Sequence, residues 1–344
     1  MKRAPRSPSD PARALVLGAG GWGTAISNLL AKRGFEVILV PHRNPGRVQE
    51  LLRWGENRRY LPGVKIHPKV RVSATLEPWL NRSSWLFLAV PMKGLRESLN
   101  VLATKKPSGI AMISLVKGLD PKTLQRPSEM IREVLRTPLG RIAVLSGPSH
   151  AEEVGSGVAT AVVVASRSAA LAAGIQARLS GGAFRVYSSP DVTGVELAGA
   201  LKNVIALAAG MADGLGLGDN AKAALLTRGL AELTRVGTAL GAKRETFFGL
   251  AGMGDLVVTC TSAHGRNLRV GRALGRGRKL GAVLKELGMV AEGVGTARPA
   301  LKLARGAGVE TPIIRAVDAV LGGFWSPREA LRQLMDRPPA SEWR

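Results

Sequence analysis

Residues 15–25 read Leu-Val-Leu-Gly-Ala-Gly-Gly-Trp-Gly-Thr-Ala, with glycines at positions 18, 20 and 23 in the spacing G-x-G-x-x-G. The apolar run that precedes them predicts a strand, residues 24–33 predict a helix, and residues 36–40 predict a second strand, so the glycines sit at a strand-to-helix turn. Glycines there permit a tight bend, close approach of backbone to a pyrophosphate, and close packing of helix on strand. The helix N-terminus then offers its N–H groups to the anion. Gly18, Gly20 and Gly23 are therefore expected to bind a dinucleotide, although the same three residues taken alone also suit a purely structural turn.

Outward from this turn, short apolar runs at residues 14–17, 36–40, 85–90, 110–116 and 142–145 alternate with helical patterns at 24–33, 94–103 and 128–136. Continuous apolar strands imply a sheet covered on both faces, and the alternation predicts a doubly wound parallel sheet. Residues 160–165 and 184–188 are expected to extend it. From Asp191, a candidate N-cap, the pattern becomes helical: a long Ala/Leu/Val/Ile-rich stretch to 212, then 220–240, 266–275, 280–287, 296–307 and 312–321, with one short strand candidate at 256–260. The expected organisation is a disordered tail at 1–13, a Rossmann-type α/β domain at 14–190 and an all-helical domain at 191–344.

Length and composition agree with two domains. The chain has 344 residues, 45% hydrophobic and 22% charged, which excludes disorder, collagen and coiled coil as descriptions of the whole. The longest unbroken apolar stretches fall short of the roughly 20 residues that span a bilayer. A single cysteine, Cys260, forms no intramolecular disulfide, and the N-terminus has no apolar signal region, so the cytoplasm is the expected compartment. The net charge of +24 fits anionic partners: nucleic acid, acidic lipid or phosphorylated metabolites.

Where NAD-preferring sites carry Asp or Glu at the end of the second strand, this chain has Val40-Pro41-His42-Arg43. No carboxylate repels a 2′-phosphate and Arg43 suits a charge-assisted contact with one, so NADPH is the favoured cofactor, with NADH possible. Lys117 ends a predicted strand on the edge that faces ligands in open α/β sheets; it meets a ligand oxygen or is an ordinary surface lysine. Ser149 follows the strand at 142–145, and its neighbour His150 makes no serine triad, because adjacent side chains point apart and no G-x-S-x-G elbow is present. Lys202 is the one cation in an alanine- and leucine-rich helix, either snorkelling outward or held in a cleft that lowers its pKa. Asp255, Arg266 and Asn267 lie on or beside glycine-rich loops, where Arg266 would clamp a phosphate. The four histidines lack metal-ligand spacing, so no metal is expected.

The segments GAGGWGTA (18–25), VPMKGL (90–95), LVKGLD (115–120), LSGPSHAEEVG (145–155), the run 184–233, GLAGMGDLVVTCTSAHGRN (249–267) and MVAEGV (289–294) together resemble the bacterial NAD(P)-dependent glycerol-3-phosphate dehydrogenases. The resemblance covers about residues 14–335 and implies reversible reduction of dihydroxyacetone phosphate to sn-glycerol 3-phosphate, for phospholipid synthesis, with a C-terminal half like that of 6-phosphogluconate dehydrogenase. It implies dinucleotide contacts from Gly21, Trp22, His42, Arg43, Tyr60, Lys117, Ala151, Arg266, Val290 and Glu292. Substrate contacts follow from Lys117, Gly147, Ser149, Lys202, Asp255, Gly265, Arg266 and Asn267, with Lys202 as proton acceptor and Lys117 assisting. Two departures stand out: Gly21 replaces the usual Ser or Ala, and Gly265 replaces the usual Ser. A ketopantoate-type reductase is the nearest alternative. A basic nucleic-acid-binding protein is the remote one, and with 4% aromatic residues and no nucleic-acid motif, no nucleic-acid partner is expected. The expected assembly is a homodimer, and loose association with an anionic membrane surface is one use for the charge.

Overall fold

The computed structural model describes residues 12–41 and 46–342. The N-terminal part is one eight-stranded sheet: β1 (Arg13–Leu17), β2 (Glu36–Val40), β3 (Val70–Val72), β4 (Trp85–Leu88), β5 (Ala111–Ser114), β6 (Ile142–Ser146), β7 (Thr160–Ser166) and β8 (Phe184–Ser189), in the order β3-β2-β1-β4-β5-β6-β7-β8. β1 to β6 pair in parallel, with Ala14 opposite Val37 on one side and Trp85 on the other. Alternate residues of β1 enter different cores. Ala14 and Val16 pack on one face of the sheet, Leu15 and Leu17 on the other, which is why residues 14–17 are apolar without a break.

Four sequence expectations need correction. First, β7 and β8 extend the sheet but run against it: β7 is antiparallel to β6, and β8 is parallel to β7. The only helix between β6 and β7 is Ala151–Ser156, whose six residues advance roughly 9 Å, too little to carry the chain back for a parallel crossover. Second, β3 and the helix Gly46–Trp54 were not foreseen, because Val-Arg-Val is short and charged and the helix mixes its apolar residues with Arg47, Gln49, Glu50 and Arg53. Third, the strand candidate at 256–260 is the helix Asp255–Thr261. A short apolar run suits either element, and its burial pattern (Asp255, Leu256, Thr259, Cys260) has the helical period. Fourth, β1 begins at Arg13, inside the expected tail.

The long helix Val192–Leu215 is the axis of the C-terminal half and is capped as expected, with Asp191 Oδ1 accepting from Gly194 N at 2.8 Å. It has the length and hydropathy of a membrane span, yet 94% of that apolar window is buried inside the protein. The helices Gly218–Ala239, Arg266–Gly275 and Glu292–Gly306 pack around it. Contact with Arg266–Gly275 is backbone against backbone: a Cβ at Gly210 would lie 2.2 Å from Leu268 O, and one at Gly271 would lie 2.2 Å from Leu207 O. Any side chain at these crossings would push the helices apart and move Arg266 and Asn267 away from Lys202. The two halves are also tied by buried Glu196, which accepts from Ser128 N at 2.7 Å, Ser128 Oγ at 2.6 Å and Arg126 Nη1 at 2.7 Å. Burial pushes the Glu196 carboxyl upward, and Arg126 and Ser128 oppose that rise.

Candidate active site

β1 leads into Gly18, whose φ of +113° lies in the region that favours glycine and whose N–H donates to Val40 O at 2.8 Å. A Cβ at Gly18 would sit 2.6 Å from Ala89 O, and one at Gly23 would sit 1.8 Å from Gly18 O, so these two positions close the turn. A Cβ at Gly20 would meet nothing within 4 Å. The first and third glycines thus serve packing, and the middle one leaves an open cradle at the start of the helix Gly21–Lys32, which no side chain caps. At Gly21 a Cβ would lie 2.6 Å from Tyr60 O. The glycine at this position therefore admits the Tyr60 backbone against the turn.

From this cradle a cavity of about 840 Å³ runs into the helical half. Gly18, Gly20, Gly21, Trp22, Tyr60 and Ala151 line one part of it; Lys117, Ser149, Lys202 and Asp255 line another; Gly265, Arg266, Asn267, Val290 and Glu292 complete the wall. Gly23 and Gly147 are not on the wall. Gly147 stands behind it, its carbonyl accepting from Lys117 Nζ at 3.0 Å and from Ser149 Oγ at 2.9 Å. His42 and Arg43 lie outside the described residues.

The chemistry is concentrated on one buried carboxylate. Asp255 Oδ1 accepts from Lys202 Nζ at 2.6 Å, and Asp255 Oδ2 accepts from Lys117 Nζ at 2.7 Å. Lys202 also donates to Thr259 Oγ1, one helical turn beyond Asp255. Lys202 is 5% exposed and Asp255 2%, so the lysine is held inward. Burial lowers the Lys202 ammonium from its ordinary 10.5 to about 8, with the Lys117 charge adding to the fall and Asp255 opposing it. For Asp255, burial disfavours ionisation, but the two ammonium groups outweigh it and hold the carboxyl below its usual range. The unit has two cations and one anion, one of the cations a lysine poised to exchange a proton near pH 8.

A chain of amides fixes the neighbouring wall. Asn203 Nδ2 donates to Lys117 O at 3.4 Å, Asn267 Nδ2 donates to Asn203 Oδ1 at 2.9 Å, and Gly293 N donates to Asn267 Oδ1 at 3.0 Å. Glu292 Oε1 accepts from Met92 N at 3.1 Å; burial raises this carboxyl, and Met92 and Arg266 counter the rise. Arg266 opens its helix, with Gly265 as N-cap and no capping side chain.

Sequence reasoning missed several wall residues. His150 lines the cavity, with its Nε2 buried and unpartnered and its ring centre 5.9 Å from that of His264. Burial, then the Lys202 charge, lowers its pKa, and Glu152, Glu153 and Asp255 oppose the fall. Thr259 was hidden in an apparent strand. Arg47 and Arg59 lie on a segment whose helix was unforeseen. Cys260 is buried, and burial pushes its thiol up to about 12. Among the described residues no group of three or more His, Cys, Asp and Glu side chains converges on a metal position.

A Rossmann-type sheet with an open glycine cradle, joined by one cavity to a buried lysine with a lowered pKa, defines a nicotinamide-dinucleotide-dependent oxidoreductase. The cradle at Gly20 and the buried, unpartnered Trp22 Nε1 on its wall both suit such a dinucleotide. Residues 13–172 match the family described as NAD-dependent glycerol-3-phosphate dehydrogenase N-terminus, and residues 191–332 match its C-terminus. The chain belongs to the NAD-dependent glycerol-3-phosphate dehydrogenase family. It is 47% identical over 328 residues to a glycerol-3-phosphate dehydrogenase [NAD(P)+] of Carboxydothermus hydrogenoformans, covering 95% of this chain and 97% of that one. A Geobacillus thermodenitrificans enzyme of the same name is 48% identical over 328 residues, covering 95% of each chain. The crystal structure of a Coxiella burnetii glycerol-3-phosphate dehydrogenase superposes with a TM-score of 0.91 at 36% identity, over 95% of this chain and 99% of that one. A Ralstonia eutropha ketopantoate reductase, with a TM-score of 0.57 at 16% identity over 93% and 99% of the two chains, shares the fold.

Proposed function

We propose that this chain reversibly reduces dihydroxyacetone phosphate to sn-glycerol 3-phosphate with NADPH, and less readily with NADH, providing the backbone for glycerophospholipids. The observation that carries this reading is Asp255 between Lys202 and Lys117 in a cavity continuous with the glycine cradle. Gly18, Gly20, Gly21 and Trp22 would hold the dinucleotide, whose chemistry when bound would be to supply a hydride for the ketone carbon, or to accept one in reverse. Lys202 Nζ gives a proton to the developing alkoxide and becomes a neutral amine, which solvent reprotonates; in the oxidative direction the amine takes the hydroxyl proton. Lys117 adds positive potential at the same oxygen. Asp255 holds both ammonium groups in place.

Arg266 and Asn267, with the Gly265 backbone, hold the phosphate end. A Cβ at Gly265 would lie 2.8 Å from Thr259 O, so the hydroxyl that relatives commonly place there has no room without a shift, and Arg266 takes a larger share of phosphate binding. A cationic phosphate end favours dihydroxyacetone phosphate over ketopantoate. The kcat/KM with NADPH is expected to be at least about 100-fold higher for dihydroxyacetone phosphate, two charge-assisted contacts being enough for that ratio. A preference for ketopantoate would reverse the assignment.

The same reading extends to a homodimer working in the cytoplasm, with the +24 charge giving it loose contact with anionic lipid. Sedimentation measures the dimer. Co-flotation with anionic vesicles at low salt, lost at raised salt, is the expected lipid result, and absence of flotation at low salt counts against it.

A further inference from the structure

Beyond the glycine turn, the cavity wall is built by the segment that follows β2. The helix Gly46–Trp54 brings Arg47 to the wall, and the loop after it brings Arg59 and Tyr60. Arg47 is 7% exposed and its guanidinium lies 4.7 Å from the centre of the Tyr60 ring; the Arg59 guanidinium lies 5.3 Å from the same centre. Arg47 Nη2 donates to Asn57 Oδ1 at 2.7 Å, and Asn57 Nδ2 donates to Ala19 O at 3.0 Å and Thr24 Oγ1 at 2.8 Å. The stacked pair of Arg47 and Tyr60 is therefore pinned to the turn that forms the cradle.

The two arginines differ in charge balance. Glu50 Oε2 lies 3.3 Å from Arg47 Nη1 and offsets that cation, whereas no carboxylate pairs with Arg59 among the described residues. In this sheet architecture the adenosine ribose of a bound dinucleotide lies beyond the C-terminal end of the second strand, and Pro41, the residue that follows β2, lines the same cavity as Arg47 and Arg59. A guanidinium stacked on an aromatic face keeps its N–H edge free for a planar two-point contact with phosphate. We propose that Arg59, steadied on the Tyr60 ring, contacts the 2′-phosphate of NADP(H), and that Arg47 is the positioning residue that fixes Tyr60 and, through Asn57, the cradle. This assignment rests on the dinucleotide reading given above and adds, to the Arg43 expected from the sequence, a second cation for the 2′-phosphate.

Quenching of tryptophan fluorescence by NADPH and by NADH, with no substrate present, tests it. Arg59→Ala is expected to weaken NADPH binding about tenfold or more, the loss of one charge-assisted phosphate contact, and to leave NADH within about twofold. Arg47→Lys keeps the charge but loses the fixed fork, and is expected to weaken both nucleotides. In competition, 2′-AMP should lose affinity for Arg59→Ala while 5′-AMP keeps it. Unchanged NADPH binding in Arg59→Ala, or equal losses for NADPH and NADH, overturns the assignment, as does an effect confined to Arg43→Ala. Wild-type protein that binds neither nucleotide would instead remove the dinucleotide reading itself.

Discussion

Lys202→Ala is expected to lower turnover about 10²–10⁴-fold in both directions, the usual worth of a positioned general acid-base group, while NADPH still binds. The wild-type pH dependence follows from the Lys202 pKa of about 8. Reduction needs the ammonium, so its rate is level below about pH 8 and falls above it. Oxidation needs the amine, so its rate rises through about pH 8 and levels off beyond. Both limbs disappear in Lys202→Ala. Steady-state rates from pH 6 to 10 check this, and a wild-type profile with no inflection near 8, or a variant with wild-type turnover, would remove Lys202 from the proton-transfer step.

Asp255→Asn has the second large effect, and it touches stability as well as rate. Asp255 is buried and accepts from two ammonium groups, so its neutralisation leaves two like charges side by side with no counter-ion. Breaking a buried pair of this kind costs about 3–5 kcal/mol, and the thermal midpoint should fall by many degrees. Because Asp255 is what opposes the fall of the Lys202 pKa, its loss moves that pKa lower still, and the fall in reductive rate begins at a lower pH than in the wild type. A variant with unchanged midpoint and unchanged pH profile would show that Asp255 does not hold the lysines.

The sheet was legible because β1, β2, β4, β5 and β6 are buried on both faces and so carry unbroken apolar runs at 14–17, 37–40, 85–88, 111–113 and 142–145. The reversal at β7 was not, because strand direction depends on the length of the preceding crossover, which composition does not report. Residues 256–260 misled because a five-residue run with four apolar positions fits a strand or a buried helix, and only the positions of Asp255 and Thr259 on one face settle which. The glycine turn could be read from local sequence alone. Lys202 could not be told from a snorkelling surface lysine, since its partner Asp255 lies 53 residues away and the Lys117 partner lies 138 residues from Asp255. What singled it out was the resemblance of the surrounding run 184–233 to the glycerol-3-phosphate dehydrogenases, and not its place on an apolar helix. Arg47 and Arg59 escaped because a basic, solvent-like stretch hides one buried arginine and one aromatic stack.

The most direct measurement is NADPH consumption by the purified protein on addition of dihydroxyacetone phosphate, followed together with the glycerol 3-phosphate formed. The account predicts rapid consumption with one sn-glycerol 3-phosphate appearing for each NADPH oxidised. Consumption no faster than in the substrate-free control would contradict it.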